Sequence, residues 1–216
     1  AVGDLSGWSV SLDSVGNTVA IGAKLNDGND VYNSYRGHVR IYNYNGSSWT
    51  QVGNDIDGEA VMDESGTSVS LSNDGNIVAI GAIGNGGNLG HVRIYNWNGA
   101  SWNQLGQDID GEAAGDQSGY SVSLSSNGNT VAIGANLNDG NGTSAGHVRI
   151  YNYNGNSWNQ IGNYIGGEGA DDAFGYSVSL SSDGNTVAIG APDNTGNGLD
   201  AGHVRIYSYN GSSWNQ

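Results

Sequence analysis

The chain contains no cysteine, and only one proline, one methionine and one phenylalanine. Without cysteine there is neither a disulfide framework nor thiolate chemistry, so packing and backbone pairing must hold the fold together. Cations are scarce too: six Lys and Arg stand against 21 Asp and Glu, a formal net charge of −15. That field repels polyphosphates and leaves no basic stripe, which argues against nucleic acid as a partner. No run approaches the roughly 18 apolar residues of a helical membrane span, so membrane insertion is not expected. The opening AVGDLSGW has no basic segment, no hydrophobic segment and no initiator methionine, and we expect it to lie within a longer precursor.

Glycine is abundant, with 38 of 216 residues in a chain only 12% charged, a composition unlike disordered tails or helical domains. Its use is periodic. The string GHVRIY begins at Gly37, Gly90, Gly146 and Gly202, and SVSL begins at Ser9, Ser68, Ser121 and Ser177. Separations of 53 to 59 residues signal a propeller, solenoid or array. One loop accounts for the unequal spacing: 13 residues (24–36), seven (83–89), ten (136–145) and ten (192–201). Removing it leaves 46 residues from each SVSL to the next. The repeats, approximately 1–59, 60–112, 113–168 and 169–216, thus share a fixed frame with one adjustable segment.

Within the frame the apolar period is two. Val10 and Leu12, Val19 and Ile21, and Val39 and Ile41 alternate with small or polar residues, and we expect all three pairs on one face of a sheet. Asp74-Gly75, Asn127-Gly128 and Asp183-Gly184 mark hairpin turns between first and second strands. Asn45-Gly46, Asn98-Gly99, Asn154-Gly155 and Asn210-Gly211 do the same between third and fourth. A fourth strand starts at Trp49, Trp102, Trp158 and Trp214. The prediction is an all-β protein: a β-propeller built from four repeats of a four-stranded antiparallel meander, as four blades or as a segment of a longer array.

The fourth repeat, FGYSVSLSSDGNTVAIGAP (Phe174–Pro192) followed by GHVRIY, resembles the FG-GAP repeat of integrin α-subunit heads and related bacterial and algal surface proteins. All four repeats share the resemblance, but only the fourth keeps both Phe174-Gly175 and Gly190-Ala191-Pro192. In the others the aromatic shifts by one place, as in Gly7-Trp8 and Gly119-Tyr120, and the proline becomes Lys24, Ile83 or Asn136. The resemblance implies propeller blades and an extracellular or cell-surface location. Calcium-binding members carry DxDxDGxxD between the first two strands; here SLSSDGNTV is a bare turn, too short to supply the six to eight oxygens calcium takes.

Repetition itself constrains the chemistry. His38, His91, His147 and His203, with Arg40, Arg93, Arg149 and Arg205, sit at one position of every repeat. Asp4, Asp63, Asp116 and Asp172 also recur, the last three preceded at four residues by Glu59, Glu112 and Glu168. Sites tend to be local and asymmetric, so we expect arginine–carboxylate pairing between blades, turn capping and packing by the repeated tryptophans rather than catalysis. Function is expected in the adjustable loops. The first, with Lys24, Asp27, Asp30, Tyr32, Tyr35 and Arg36, gathers two cations and two tyrosines and is the predicted partner-binding segment. Asp139, Asp193 and Asp200 are candidate calcium ligands, and Asn45, Asn141 and Asn210 begin N-x-S/T sequons. The expected function is adhesion or protein recognition without catalysis; a multivalent lectin and a subunit of an extracellular fibre or sheath are the alternatives. Partners would be an extracellular protein or glycan, with self-association open: a fourth repeat of full length would run eight residues past Gln216, leaving a ring, a longer array or end-to-end assembly.

Overall fold

Valine, isoleucine and threonine alternate between Gly/Asn turns, and each repeat forms an antiparallel sheet. The computed structural model describes residues 2–28 and 34–216. In the first repeat β1 (Ser9–Leu12), β2 (Thr18–Ala23), β3 (His38–Tyr44) and β4 (Trp49–Gln51) pair in sequence, and β5 (Ile56–Asp57) returns to the start of β3. The second repeat comprises β6 (Ser65–Leu71), β7 (Ile77–Ala82), a single turn α1 (Asn85–Asn88), β8 (His91–Trp97), β9 (Trp102–Gln104) and β10 (Ile109–Asp110). The third runs through β11 (Ser121–Leu124), β12 (Thr130–Ala135), β13 (His147–Tyr153), β14 (Trp158–Gln160) and β15 (Ile165–Gly166). The fourth contains β16 (Ser177–Leu180), β17 (Thr186–Ala191), β18 (His203–Tyr209) and β19 (Trp214–Asn215).

Two details correct the sequence reading. The fourth strand is interrupted: β4 and β5 occupy one edge of β3 in succession, with Val52 still donating its N–H to Ile41 O at 2.8 Å and residues 53–55 bulging away before β5 begins. And the apolar pairs use both faces of the sheet. Val10 and Leu12 oppose Ile21 and Val19, whereas Ile41 opposes Ala20 and Val39 opposes Gly22. Register, set by the connecting turns, therefore places Val39 and Ile41 on the face opposite Val19 and Ile21.

Two-faced burial explains the stacking. Ala20, Val39, Ile41 and Ile56 of the first blade pack on Val69, Leu71, Val78, Ile80 and Tyr95 of the second. Ala79, Val92, Ile94 and Ile109 then meet Val122, Leu124, Val131 and Ile133 of the third. Ala132, Val148, Ile150 and Ile165 meet Phe174, Val187 and Ile189 of the fourth. The first strands adjoin one another, and a serine from each ties the next: Ser11 Oγ accepts from Leu71 N at 3.0 Å, Ser70 Oγ from Leu124 N at 3.0 Å, and Ser123 Oγ from Leu180 N at 2.9 Å. The molecule is a β-propeller arrangement of four blades.

Glycines fix the closest approach. A Cβ at Gly22, Gly81 or Gly134 would overlap the carbonyl oxygen of Gly66, Gly119 or Gly175 in the next blade. That same carbonyl accepts a serine hydroxyl, from Ser9, Ser68 or Ser121, at 2.7 Å. The glycine opening one repeat thus touches the glycine near the end of the second strand of the repeat before it.

Candidate functional site

The repeated charges are tied into the frame. Asp63 Oδ2 accepts the backbone N–H groups of Glu59 and Ala60 at 2.8 Å, Asp116 that of Ala113 at 3.1 Å and Asp172 that of Gly169 at 2.9 Å. Each carboxylate also takes a side-chain amide from the adjustable loop: Asn85 to Asp63 at 3.2 Å, Asn138 to Asp116 at 2.8 Å and Asn194 to Asp172 at 3.0 Å, with Asn26 to Asp4 at 2.8 Å in the first blade. Every adjustable loop is pinned to a crossing turn in this way, which sets both on one rim of the molecule.

The arginines reach backwards. Arg93 Nη2 donates to Asp57 O at 2.8 Å with Glu59 3.4 Å from Nη1, and Arg149 Nη2 donates to Asp110 O at 2.7 Å with Glu112 at 3.7 Å. Arg205 pairs with Glu168. Arg40, in the first blade, turns to Asp55 of its own sheet instead, forming a two-pronged contact at 2.8 to 2.9 Å. Those hydrogen bonds hold the Asp55 carboxyl below the usual carboxylate range. His38, His91 and His147 are buried beside their arginines; burial pushes His147 down to about 4, and the Arg149 guanidinium acts in the same direction. His38 and His91 shift downward for the same two reasons.

In the first loop, Lys24 Nζ lies 3.0 Å from Glu64 and 4.2 Å from the Trp8 ring centre. Arg36 Nη1 donates to Glu59 O at 2.6 Å and Gly58 O at 3.2 Å, so both cations clamp the loop to the crossing segment. Asp27 Oδ1 accepts from Tyr35 N at 3.1 Å, while Ser34 Oγ donates to Asp27 O at 2.8 Å. Asp30 and Tyr32 lie outside the described residues. Asp139 Oδ1 accepts from Ser144 N at 2.8 Å, and Asp193 and Asp200 are exposed on the fourth loop. Among the described residues, sets of histidine and carboxylate within mutual reach of one ion are His38, Asp55 and Asp57, and Glu59, His91 and Asp108, neither including those three aspartates. Arg40 on Asp55 and Arg93 beside Glu59 already supply positive charge there. Asn45 and Asn210 use their side-chain oxygens to close hairpin tips, and Asn141 Nδ2 donates to Gly167 O at 3.0 Å.

The tryptophans link successive blades. Trp102 Nε1 donates to Val52 O at 2.9 Å, Trp158 to Leu105 O at 2.6 Å and Trp214 to Ile161 O at 3.0 Å, each carbonyl opening the gap in the preceding outer strand. Between the first and second blades this leaves a groove of about 300 Å³ lined by Asn54, Asp55, Ile56, Asp57, Tyr95, Ser101 and Trp102. Asp55 and Asp57 separate it from a smaller polar hollow of about 170 Å³ formed with His38, Arg40, Asn26 and Gly28. At the equivalent place between the second and third blades, Gln107 Nε2 donates to Trp158 O at 2.9 Å while its Oε1 accepts from Trp158 N at 3.1 Å. The clamp leaves Trp158 only 3% exposed. Asn54, one methylene shorter, makes no corresponding clamp and Trp102 stays half-buried. The groove was not foreseen from the sequence; the change from Asn54-Asp55 to Gln107-Asp108 was its visible signal.

The FG-GAP repeat model matches residues 109–151 and 166–207. These two segments are FG-GAP repeats. Where two repeats meet, the glycine that opens one lies against the glycine near the end of the second strand of the repeat before it, as Gly175 lies against Gly134 of Gly134-Ala135-Asn136. Among solved structures, a 6-phosphogluconolactonase-like protein from Bacteroides uniformis superposes on 96% of the chain with a TM-score of 0.64 at 11% identity, over 52% of its own length. The periplasmic gluconolactonase of Pseudomonas aeruginosa gives 0.61 at 14% identity, over 96% of this chain and 56% of its own. The β-propeller domain of the Trilobed protease from Pyrococcus furiosus, which has an open velcro topology, gives 0.53 at 10%, over 96% and 55%. These likenesses establish the propeller fold, and the chain spans about half the length of the structures it matches. No curated protein matches the sequence.

Proposed function

We propose that this chain is a non-catalytic recognition propeller of the cell surface or envelope, binding an extracellular protein through its loop rim. The observation carrying this reading is the division of labour between frame and loops. Repeated carboxylates and arginines hold turns and blades together, while the loops at 24–36, 83–89, 136–145 and 192–201 vary in length and composition on a fixed base. A rigid scaffold with variable loops on one side is a general way to present a binding surface. FG-GAP repeats and a periplasmic propeller among the structural neighbours support the location.

The test is a graft of the seven-residue second loop over residues 24–36. The incoming segment brings Asn85 to the position of Asn26, preserving the amide contact to Asp4. Against an array of extracellular matrix proteins and glycans, binding should disappear while the melting temperature stays within about 5 °C. Binding that survives the graft removes this loop from the surface.

A carbohydrate ligand is the second reading, favoured by the groove between the first two blades. It sets Tyr95 and Trp102 beside Asn54, Asp55 and Asp57, a pairing of rings with polar acceptors suited to a sugar face and its hydroxyls. Glycan hits that persist after the loop graft would favour this groove over the rim.

A further inference from the structure

His91, at the interface of the first and second blades, is 1% exposed and neither of its ring nitrogens is satisfied. Its Nε2 is buried without a hydrogen-bond partner, and its Nδ1 faces Asp108 Oδ2 at 3.8 Å, beyond hydrogen-bond reach. A buried polar side chain in this state calls for an explanation. Glu59 joins the pair: one ligand atom from each of Glu59, His91 and Asp108 lies within 4.8 Å of the others.

Three elements bring these groups together. His91 opens β8 opposite Asp110 of β10, and Asp108 immediately precedes β10. Glu59 lies in the crossing turn from the first blade, where its backbone N–H is fixed on Asp63 Oδ2 at 2.8 Å. Each carboxylate is anchored through one oxygen and keeps the other. Gln104 Nε2 donates to Asp108 Oδ1 at 2.5 Å, which leaves Oδ2 toward the imidazole, and Arg93 Nη1 lies 3.4 Å from Glu59 Oε1, which leaves Oε2. Arg93 does not cancel the field, because its Nη2 is committed to Asp57 O at 2.8 Å, and Glu59, Asp63 and Asp108 all act on the imidazole against that one guanidinium. The constellation is local rather than part of the repeat. At the next interface Tyr164 stands at the position of Asp108, its ring 5.5 Å from that of His147, with Glu112 3.8 Å from His147 Nδ1. In the set of His38, Asp55 and Asp57, the Asp55 carboxylate is gripped by Arg40.

We propose that Glu59, His91 and Asp108 bind one first-row divalent metal ion such as zinc, which staples the crossing turn of the first blade to the outer strand of the second. One imidazole with two carboxylates suits such an ion better than calcium, which takes six to eight oxygens. At metal–ligand lengths of about 2.0–2.2 Å, a tetrahedral ion sets its ligand atoms roughly 3.4 Å apart. The partly exposed Glu59 and Asp108 side chains have room to close that far on the buried ring. Three protein ligands leave a fourth position open to water. The crossing turn also carries the loop rim: Arg36 donates to Glu59 O at 2.6 Å and Asn85 to Asp63 at 3.2 Å, so the ion stiffens the base of the first two loops.

The experiment is calorimetric titration of the chelator-treated 216-residue chain with Zn²⁺ alone and with Ca²⁺ alone, alongside ¹H–¹⁵N spectra of the imidazoles. Zn²⁺ should bind once per chain and move the His91 Nδ1 resonance while those of His38, His147 and His203 stay in place, and Ca²⁺ should bind about ten-fold more weakly or less. Glu59→Gln alters an exposed carboxylate, and Asp108→Tyr installs the residue that the third blade carries at this position, so both variants should keep their circular dichroism. Each should weaken Zn²⁺ binding by about ten-fold or more. The proposal is overturned by a wild-type chain that takes no Zn²⁺, by calcium bound as tightly as zinc, by an ion that moves another histidine instead of His91, or by undiminished Zn²⁺ binding in either variant.

Discussion

His147 is 2% exposed beside Arg149, and its lowered pKa of about 4 makes it neutral at pH 7. The unfolded chain binds a proton at about 6.5, so between 6.5 and about 4 the unfolded state holds more protons than the folded one. The cost is absent above pH 6.5, grows as pH falls through that window and is complete below about 4. At about 1.4 kcal/mol per pKa unit it amounts to roughly 3 kcal/mol, with His38 and His91 adding in the same direction. Denaturant midpoints should therefore fall between pH 7 and pH 4, and His147→Gln should flatten the slope; an unchanged slope would mean that the imidazole is not desolvated. A second test at the same scale concerns Asn54. Asn54→Gln should reproduce the Gln107 clamp, close the groove beside Trp102 and abolish any glycan binding there, with the melting temperature unchanged or raised. Asp116 shows what could be read at this scale in advance. Its recurrence with Asp4, Asp63 and Asp172 indicated turn capping, but its amide partner Asn138 was overlooked. Yet the four Asn–Asp pairs keep a constant spacing of 22 residues, a regularity open to inspection.

Strands were legible because their period of two survives in every repeat; their faces were not. Alternation within TVAIGA or HVRIY says which residues share a side, but the relative side of two strands depends on the register between them. Registers of Gly22 with Val39 and Ile21 with Val10 put the third strand's apolar pair across the sheet from the second's, giving each inner blade two buried faces. The break between Trp49–Gln51 and Ile56–Asp57 was equally hidden, since what occupies it is an indole from another blade. The blade interface yields the sharpest prediction among elements. Gly134→Ala places a methyl against Gly175 O, where backbone on both sides resists movement, and should destabilise by about 1–3 kcal/mol or more in urea titration. Gly7→Ala, with nothing near its Cβ, should clash with no neighbour, its cost limited to the positive φ of 91°. Equal clash costs at the two positions would remove the glycine contact as the element that sets blade spacing.

At the scale of the whole molecule, repetition makes one interface serve three times. The adjustable loops share a rim with the crossing turns to which the Asn–Asp pairs bind them. Sequence periodicity anticipated four blades and an adjustable rim; it gave no view of the groove between the first two blades, where Asn54 stands at the position of Gln107. Frame for architecture and loops for recognition is the central claim, and it separates two quantities that otherwise change together. The most direct measurement takes melting temperature and extracellular-array binding side by side for the loop graft at 24–36 and for Gly134→Ala. The expected result is a crossover: the graft loses binding with its melting temperature nearly intact, whereas Gly134→Ala melts lower but binds normally at temperatures where it is folded. Binding retained by the graft and lost in a folded Gly134→Ala would contradict the account.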